Sequence, residues 1–108
     1  MTISIEDFQK LDIRIGTVQT VSEHPDADNL LLLDVDLGEP DARQLVAGIK
    51  GDYDLDAVEG KQIAVVSNLE PAKIRGETSE GMLLAADADT GISLLQPDQT
   101  VENGTVVR

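Results

Sequence analysis

Cysteine and tryptophan are absent from this sequence, and its 108 residues include one phenylalanine and one tyrosine. Without cysteine there can be no disulfide, no thiolate nucleophile and no cysteine-ligated zinc. With so few rings, there is little to wall an aromatic ligand pocket. The core has to come from Val, Ile, Leu and Ala, a set that suits strands better than such a pocket. No apolar run approaches the roughly 18 residues of a membrane span. The segment Met1–Lys10 carries Glu6 and Asp7 where a secretory signal would have its apolar stretch, so a cytoplasmic protein is expected.

Histidine is scarce too. Ser67 or Ser79 would have to take His24, the single histidine, as its base, and there is no G-x-S-x-G elbow. Gly76–Gly81 lacks the Lys-Ser/Thr ending of a phosphate-binding loop. His24, Asp26 and Asp28 alternate as metal ligands could, but a turn at Pro25 accounts for the aspartates and there is no second histidine. The sequence calls for no enzyme, no metal and no cofactor.

Positive charge is the remaining scarcity. Lys and Arg number 8 against 21 Asp and Glu, a net charge of -13. The acids are spread through every loop rather than gathered in a tail. That distribution fits a surface adapted to molar salt better than one built for basic partners. At about 1 M salt the screening length is roughly 3 Å, which would quench most of the self-repulsion; a halophilic source is expected. Against this background two short positive islands persist. Residues 43–50 hold Arg43 and Lys50 without an acid, and residues 61–76 hold Lys61, Lys73 and Arg75 against Glu70. Arg43 and Lys61 have an ordinary explanation as surface ion pairs. Lys73 and Arg75, two apart between Pro71 and Gly76, read as a loop leaving a strand and facing a partner.

The pattern of what is present is that of an all-β domain spanning residues 1–108. Ser4 with Glu6 and Asp7 opens a short helix over 5–11. Leu11, Ile13 and Ile15 alternate with Asp12 and Arg14 as a half-buried strand, and a bend or bulge is expected where the alternation breaks at Gly16. Further strands are expected over Leu30–Leu37, Leu45–Ile49, Ile63–Val66 and Met82–Ala86, with one helical turn at Asp54–Glu59 closed by Gly60. Two short apolar pieces, Ile92–Leu95 and Thr105–Val107, flank Asn103-Gly104, a hairpin signal. Five main strands and a small helix between the third and fourth give an OB-fold barrel with a short N-terminal helix and a C-terminal β extension. Periodicity alone leaves an SH3-like barrel open.

The segment Asn68-Leu69-Glu70-Pro71-Ala72-Lys73-Ile74-Arg75-Gly76, continued by Glu77-Thr78-Ser79-Glu80-Gly81-Met82, resembles the signature of the tRNA-binding domain family. Leu11–Gly16, His24–Leu30 and Arg43–Ile49 resemble three further segments of that family, in register. The family is an OB-fold module appended to some methionyl- and phenylalanyl-tRNA synthetases. It also occurs free-standing, as in the CsaA-like export chaperones, which are homodimers. The resemblance implies tRNA recognition by shape, with Asn68, Lys73, Arg75, Ser79, Glu80 and Met82 as the main contacts; Arg43 and Lys50, from the first positive island, are expected beside them. Lys73 and Arg75 suit phosphates, and Met82 offers a soft apolar face to an exposed base. Glu80 suits holding Arg75 or a backbone donor, or accepting from a base edge. One departure is Asn29, where the family's loop usually has lysine. Three functions are expected to compete: a non-catalytic tRNA-binding protein acting in trans, a chaperone for unfolded export precursors, and an accessory subunit of an aminoacyl-tRNA synthetase.

Overall fold

Alternation in the long N-terminal strand organises the whole domain, which the computed structural model describes over residues 1–108. After helix α1 (Ile5–Phe8) comes β1 (Ile13–Glu23), followed by β2 (Leu31–Asp36), β3 (Arg43–Ala47), helix α2 (Leu55–Val58) and β4 (Gln62–Val66). Then come β5 (Ala72–Ile74), β6 (Glu77–Ser79), β7 (Met82–Leu83), β8 (Ala85–Ala88), β9 (Gly91–Leu94) and β10 (Val106–Val107). The main sheet runs β3-β2-β1-β4-β7, with β10 added to β1. All its pairings are antiparallel. With α2 between β3 and β4, this is the OB-like, mostly β barrel that the strand count implies.

β1 serves two neighbours in succession. Its first half, Ile13–Thr17, pairs with β4, and its second half, Thr17–Glu23, pairs with β2. A bulge between Val18 and Thr20 lets one strand curve across both. The expected break at Gly16 is not there: the strand runs through it without interruption. Gly16 is required for a different reason. A Cβ at that position would stand 2.6 Å from Leu37 Cδ2 and 2.8 Å from the Asp36 carbonyl, so only glycine lets β1 and β2 close to this distance.

The core lies inside the barrel. Leu31, Leu33 and Val35 point inward from β2 and meet Val18, Leu45, Val58, Ile63 and Val65, all essentially without solvent access. β4 is buried on both faces, so it reads as a continuous apolar run rather than an alternation. Its Ala64 and Val66 join Ile13 and Ile15 in a second cluster, covered by Phe8, Leu84 and Val101. Truncating one of these fully buried leucines to alanine would cost about 2–5 kcal/mol.

Several expected elements are corrected. The first helix ends at Phe8, not Leu11. The expected fifth strand, Met82–Ala86, is two strands. β7 pairs with β4, whereas β8 turns away to form a hairpin with β9. The hairpin signal at Asn103-Gly104 does not join the pieces beside it, because β9 pairs with β8 and β10 pairs with β1. Asn103 and Gly104 instead pack a turn against Gly38, where a Cβ would come 2.6 Å from the Asn103 carbonyl oxygen. The segment holding Lys73 and Arg75 is a hairpin of β5 and β6, not an open loop. Tyr53 faces inward, its hydroxyl accepting a hydrogen bond from the Leu94 amide at 3.0 Å.

Candidate functional site

β3 and β7 do not share a ladder, so the barrel has a gap. The segment Thr78–Glu80 fills it with an assembly of side-chain and backbone bonds. The Glu80 amide donates to the Gln44 carbonyl at 2.8 Å, and Glu80 Oε1 accepts from the Gln44 amide at 3.2 Å. Gln44 Nε2 donates to the Thr78 carbonyl at 2.8 Å. Ser79 is buried; its Oγ accepts from the Val46 amide at 3.0 Å and donates to the Gly81 carbonyl at 2.9 Å. These bonds take the place of a missing strand pairing and satisfy the backbone groups of edge strand β3.

Arg43 completes this clasp. Its guanidinium makes two bonds to Glu39, through Nε at 2.8 Å and Nη2 at 2.9 Å. Nη1 donates to the carbonyls of Ser67 and Glu80. The hydrogen bond to Glu39 raises the Arg43 pKa; burial works against the shift, and the charges of Glu39, Glu80 and Asp12 reinforce it. Arg43 therefore stays a cation and ties β3, β4 and the Glu80 turn together. The second residue of the first positive island, Lys50, reaches Glu23 on β1 at 3.1 Å.

Asn68 anchors the chain's start. Its Oδ1 accepts from the Asp12 amide at 2.8 Å and its Nδ2 donates to the Lys10 carbonyl at 2.7 Å. Both polar ends of the side chain are thus engaged.

Lys73 and Arg75 stand apart from this network. Neither has an ion-pair partner, in contrast to Lys10, Arg14, Arg43 and Lys50. Both are exposed, on a hairpin with only three paired positions. Its turn is Arg75-Gly76, with φ of 52° and 93°. A two-residue hairpin turn with both central residues at positive φ favours Asn, Asp or Gly; here the first position is arginine, the only non-glycine residue in the chain with positive φ. Arg75 makes one further bond, from Nη2 to the Asp26 carbonyl at 3.2 Å. Met82, half-exposed, lies across the clasp beside a shallow apolar groove of about 220 Å³ that includes Val46, Ile49, Leu83 and Ile92.

The expected residues therefore divide. Arg43, Ser79, Glu80 and Met82 meet along the barrel gap, Lys73 and Arg75 project beyond it, and Asn68 and Lys50 are tied to other strands. Glu80 takes the backbone-donor option among the roles expected of it and does not contact Arg75. Two residues of this region escaped the sequence reading. Gln44 sits on an ordinary strand pattern that carries no signal of its clasping role. The second is His24, whose sequence context suggests a metal ligand or a base for serine and not a structural role. It is buried, with Nδ1 accepting from the Asp26 amide at 3.0 Å and Nε2 3.1 Å from the Ile74 carbonyl. The bond from residue i+2 copies the turn that Asx side chains make, a signal available in His24-Pro25-Asp26.

Known proteins resemble this chain over nearly its whole length. The family model described as "Putative tRNA binding domain" matches residues 13–106. A methionine–tRNA ligase from Thermococcus onnurineus is 46% identical over 106 residues, covering 98% of this chain and 14% of that protein; the chain thus spans about a seventh of this relative's length. Among solved structures, the MetRS-related protein from Pyrococcus horikoshii superposes with a TM-score of 0.92 at 29% identity, over 100% of this chain and 99% of that one. The chaperone CsaA from Bacillus anthracis superposes with a TM-score of 0.89 at 34% identity, over the whole of both chains. The chain belongs to the tRNA-binding domain family.

Proposed function

We propose that this domain binds tRNA non-catalytically, in trans, and that the β5–β6 hairpin delivers its principal phosphate contacts. The carrying observation is Arg75. It is an unpaired cation in a chain of net charge -13, held at a turn position whose backbone disfavours it. Backbone strain of this kind costs about 1–3 kcal/mol and concentrates at functional sites. Lys73 stands two residues before it and is equally free. In this reading Lys73 and Arg75 meet phosphates and Met82 offers its thioether to an exposed base. Asn68, Ser79, Glu80, Arg43 and Lys50 hold the surface behind them, their side chains engaged within the fold. The family and the methionine–tRNA ligase relative support tRNA as the nucleic acid.

The test is binding of labelled bulk tRNA against a single-stranded RNA control at about 2 M KCl, where non-specific attraction is screened. Selective binding that is lost in Lys73→Ala/Arg75→Ala is expected. Absence of binding by wild type and variant alike would overturn the reading. It would favour a second one, a chaperone for unfolded export precursors, which the apolar groove beside Met82 and the likeness to CsaA support.

A homodimer belongs to the same proposal. The exposed Leu95, Val106 and Val107 lie on or beside an apolar groove of about 520 Å³ that also contains Ile15, Ala64 and Val101. A second copy would cover it and give each particle two basic hairpins. Light scattering is expected to give twice the chain mass, and Val106→Asp/Val107→Asp to reduce it to one; a wild-type monomer would remove the dimer from the proposal.

A further inference from the structure

A hairpin with three paired positions is marginal by itself, so something has to hold β5–β6 in place. On one side β3 does so, through Gln44 to the Thr78 carbonyl and through Ser79 to the Val46 amide. On the other side the only elements bonded to it belong to the loop of residues 24–29. Two hydrogen bonds cross there, from His24 Nε2 to the Ile74 carbonyl and from Arg75 Nη2 to the Asp26 carbonyl.

The His24 ring joins both ends of this arrangement. A backbone amide can only donate, so Nδ1, 3.0 Å from the Asp26 nitrogen, must be the unprotonated acceptor. The ring proton then sits on Nε2 and is donated to the Ile74 carbonyl, one residue before Arg75. The first bond fixes the turn that brings the Asp26 carbonyl to Arg75. The second fixes the strand that carries Lys73. His24 is 4% exposed, so water has little access to either bond. The amide of His24 is itself locked to the Leu30 carbonyl at 3.1 Å, which closes the loop at its base.

We infer that His24, as the Nε2–H tautomer, is a positioning residue for the RNA-binding hairpin: it sets where Lys73 and Arg75 stand without touching RNA. This rests on the tRNA-binding reading above.

Asparagine and glutamine separate the two bonds. His24→Asn keeps an acceptor for the Asp26 amide, in the manner of an Asx turn, but cannot reach Ile74. His24→Gln places an amide donor near the position of Nε2. The experiment measures tRNA affinity and amide exchange of β5–β6 for wild type, both single variants, Lys73→Ala/Arg75→Ala, and the triple variant combining His24→Asn with that pair. His24→Asn is expected to weaken binding about tenfold and speed exchange in the hairpin, and His24→Gln to recover affinity to within about threefold of wild type. In the background lacking both cations, His24→Asn is expected to change affinity less than about twofold, because the groups it positions are gone. Long-range nitrogen–proton spectra of the wild type should show the Nε2–H tautomer. A His24→Asn loss that is the same with and without Lys73 and Arg75 would overturn the inference, as would wild-type affinity in both His24 variants. A wild type that binds no tRNA would instead overturn the reading on which the inference rests. Should His24→Asn fail to fold, failure of His24→Gln to recover either hairpin protection or affinity would overturn the inference by itself.

Discussion

The two positive islands are built from the same residue types and carry the same net charge, yet the fold uses them in opposite ways. Arg43 spends its guanidinium on Glu39 and on two backbone carbonyls, and Lys50 reaches Glu23. Lys73 and Arg75 have no ion-pair partner, and Arg75 occupies a backbone conformation that arginine disfavours. In a chain with 21 acids a base persists for one of two reasons: it closes the fold, or it stands ready for something outside it. Net charge by segment cannot separate these cases. Hydrogen-bond bookkeeping does, because a cation used structurally has its donors assigned.

The contrast breaks most visibly at Arg43. Arg43→Ala removes charged donors from two carbonyls at the barrel gap; bonds to charged groups contribute about 1.5–3 kcal/mol. The partly exposed pair with Glu39 adds little to that, since such pairs are worth less than about 1 kcal/mol. A loss near 2 kcal/mol should lower Tm by roughly 10 °C in a domain of this size. Affinity for tRNA, measured well below the transition, should stay within about twofold of wild type. Calorimetry and binding titration check this together. An unchanged Tm with a large loss of affinity would move Arg43 into the interface and erase the distinction between the islands.

Arg75→Asn sharpens the contrast from the other side, with a smaller effect. Asparagine tolerates positive φ and suits the first position of this turn. Stability should therefore rise by about 0.5 kcal/mol while tRNA binding weakens by about threefold to tenfold and the low-salt slope of log K against log salt falls by about 1. Opposite signs for stability and binding are the mark of a residue retained for its partner. If both fall, Arg75 belongs to the frame, through its bond to Asp26.

Most of the barrel is legible because β1 and β2 follow a period of two, β4 is a continuous apolar run and the core is aliphatic. Leu33, Val35 and Leu37, alternate positions of the expected Leu30–Leu37 strand, are buried. The turn of helix between the third and fourth strands fell within the expected span. What escaped depended on distant contacts. Gly16 breaks the alternation, but the reason lies with Leu37 and Asp36 across the sheet. Asn103-Gly104 is a sound local turn signal, yet which strands flank a turn is decided by what they pair with, and β9 found β8. The candidate site was legible as a list of residues through the family signature. Its division into clasp and hairpin was not, because Ser79 and Lys73 are equally polar in sequence and differ only in what surrounds them.

Lys50 gives the smallest and most discriminating effect. Its pair with Glu23 is partly exposed, with side-chain accessibilities of 31% and 57%, and such pairs contribute about 0–1 kcal/mol. Lys50→Ala should therefore leave Tm within a few degrees of wild type, and the shift should shrink as salt rises toward 1 M, where the screening length is roughly 3 Å. Its effect on tRNA binding decides which island it belongs to. Engaged with Glu23, it should alter affinity less than about twofold. A larger loss, with no change in stability, would mean that the pair opens on binding and that Lys50 is lent to the fold only until RNA arrives. The clasp would then end at Arg43, and the interface would extend along β3 toward the apolar groove beside Ile49 and Met82.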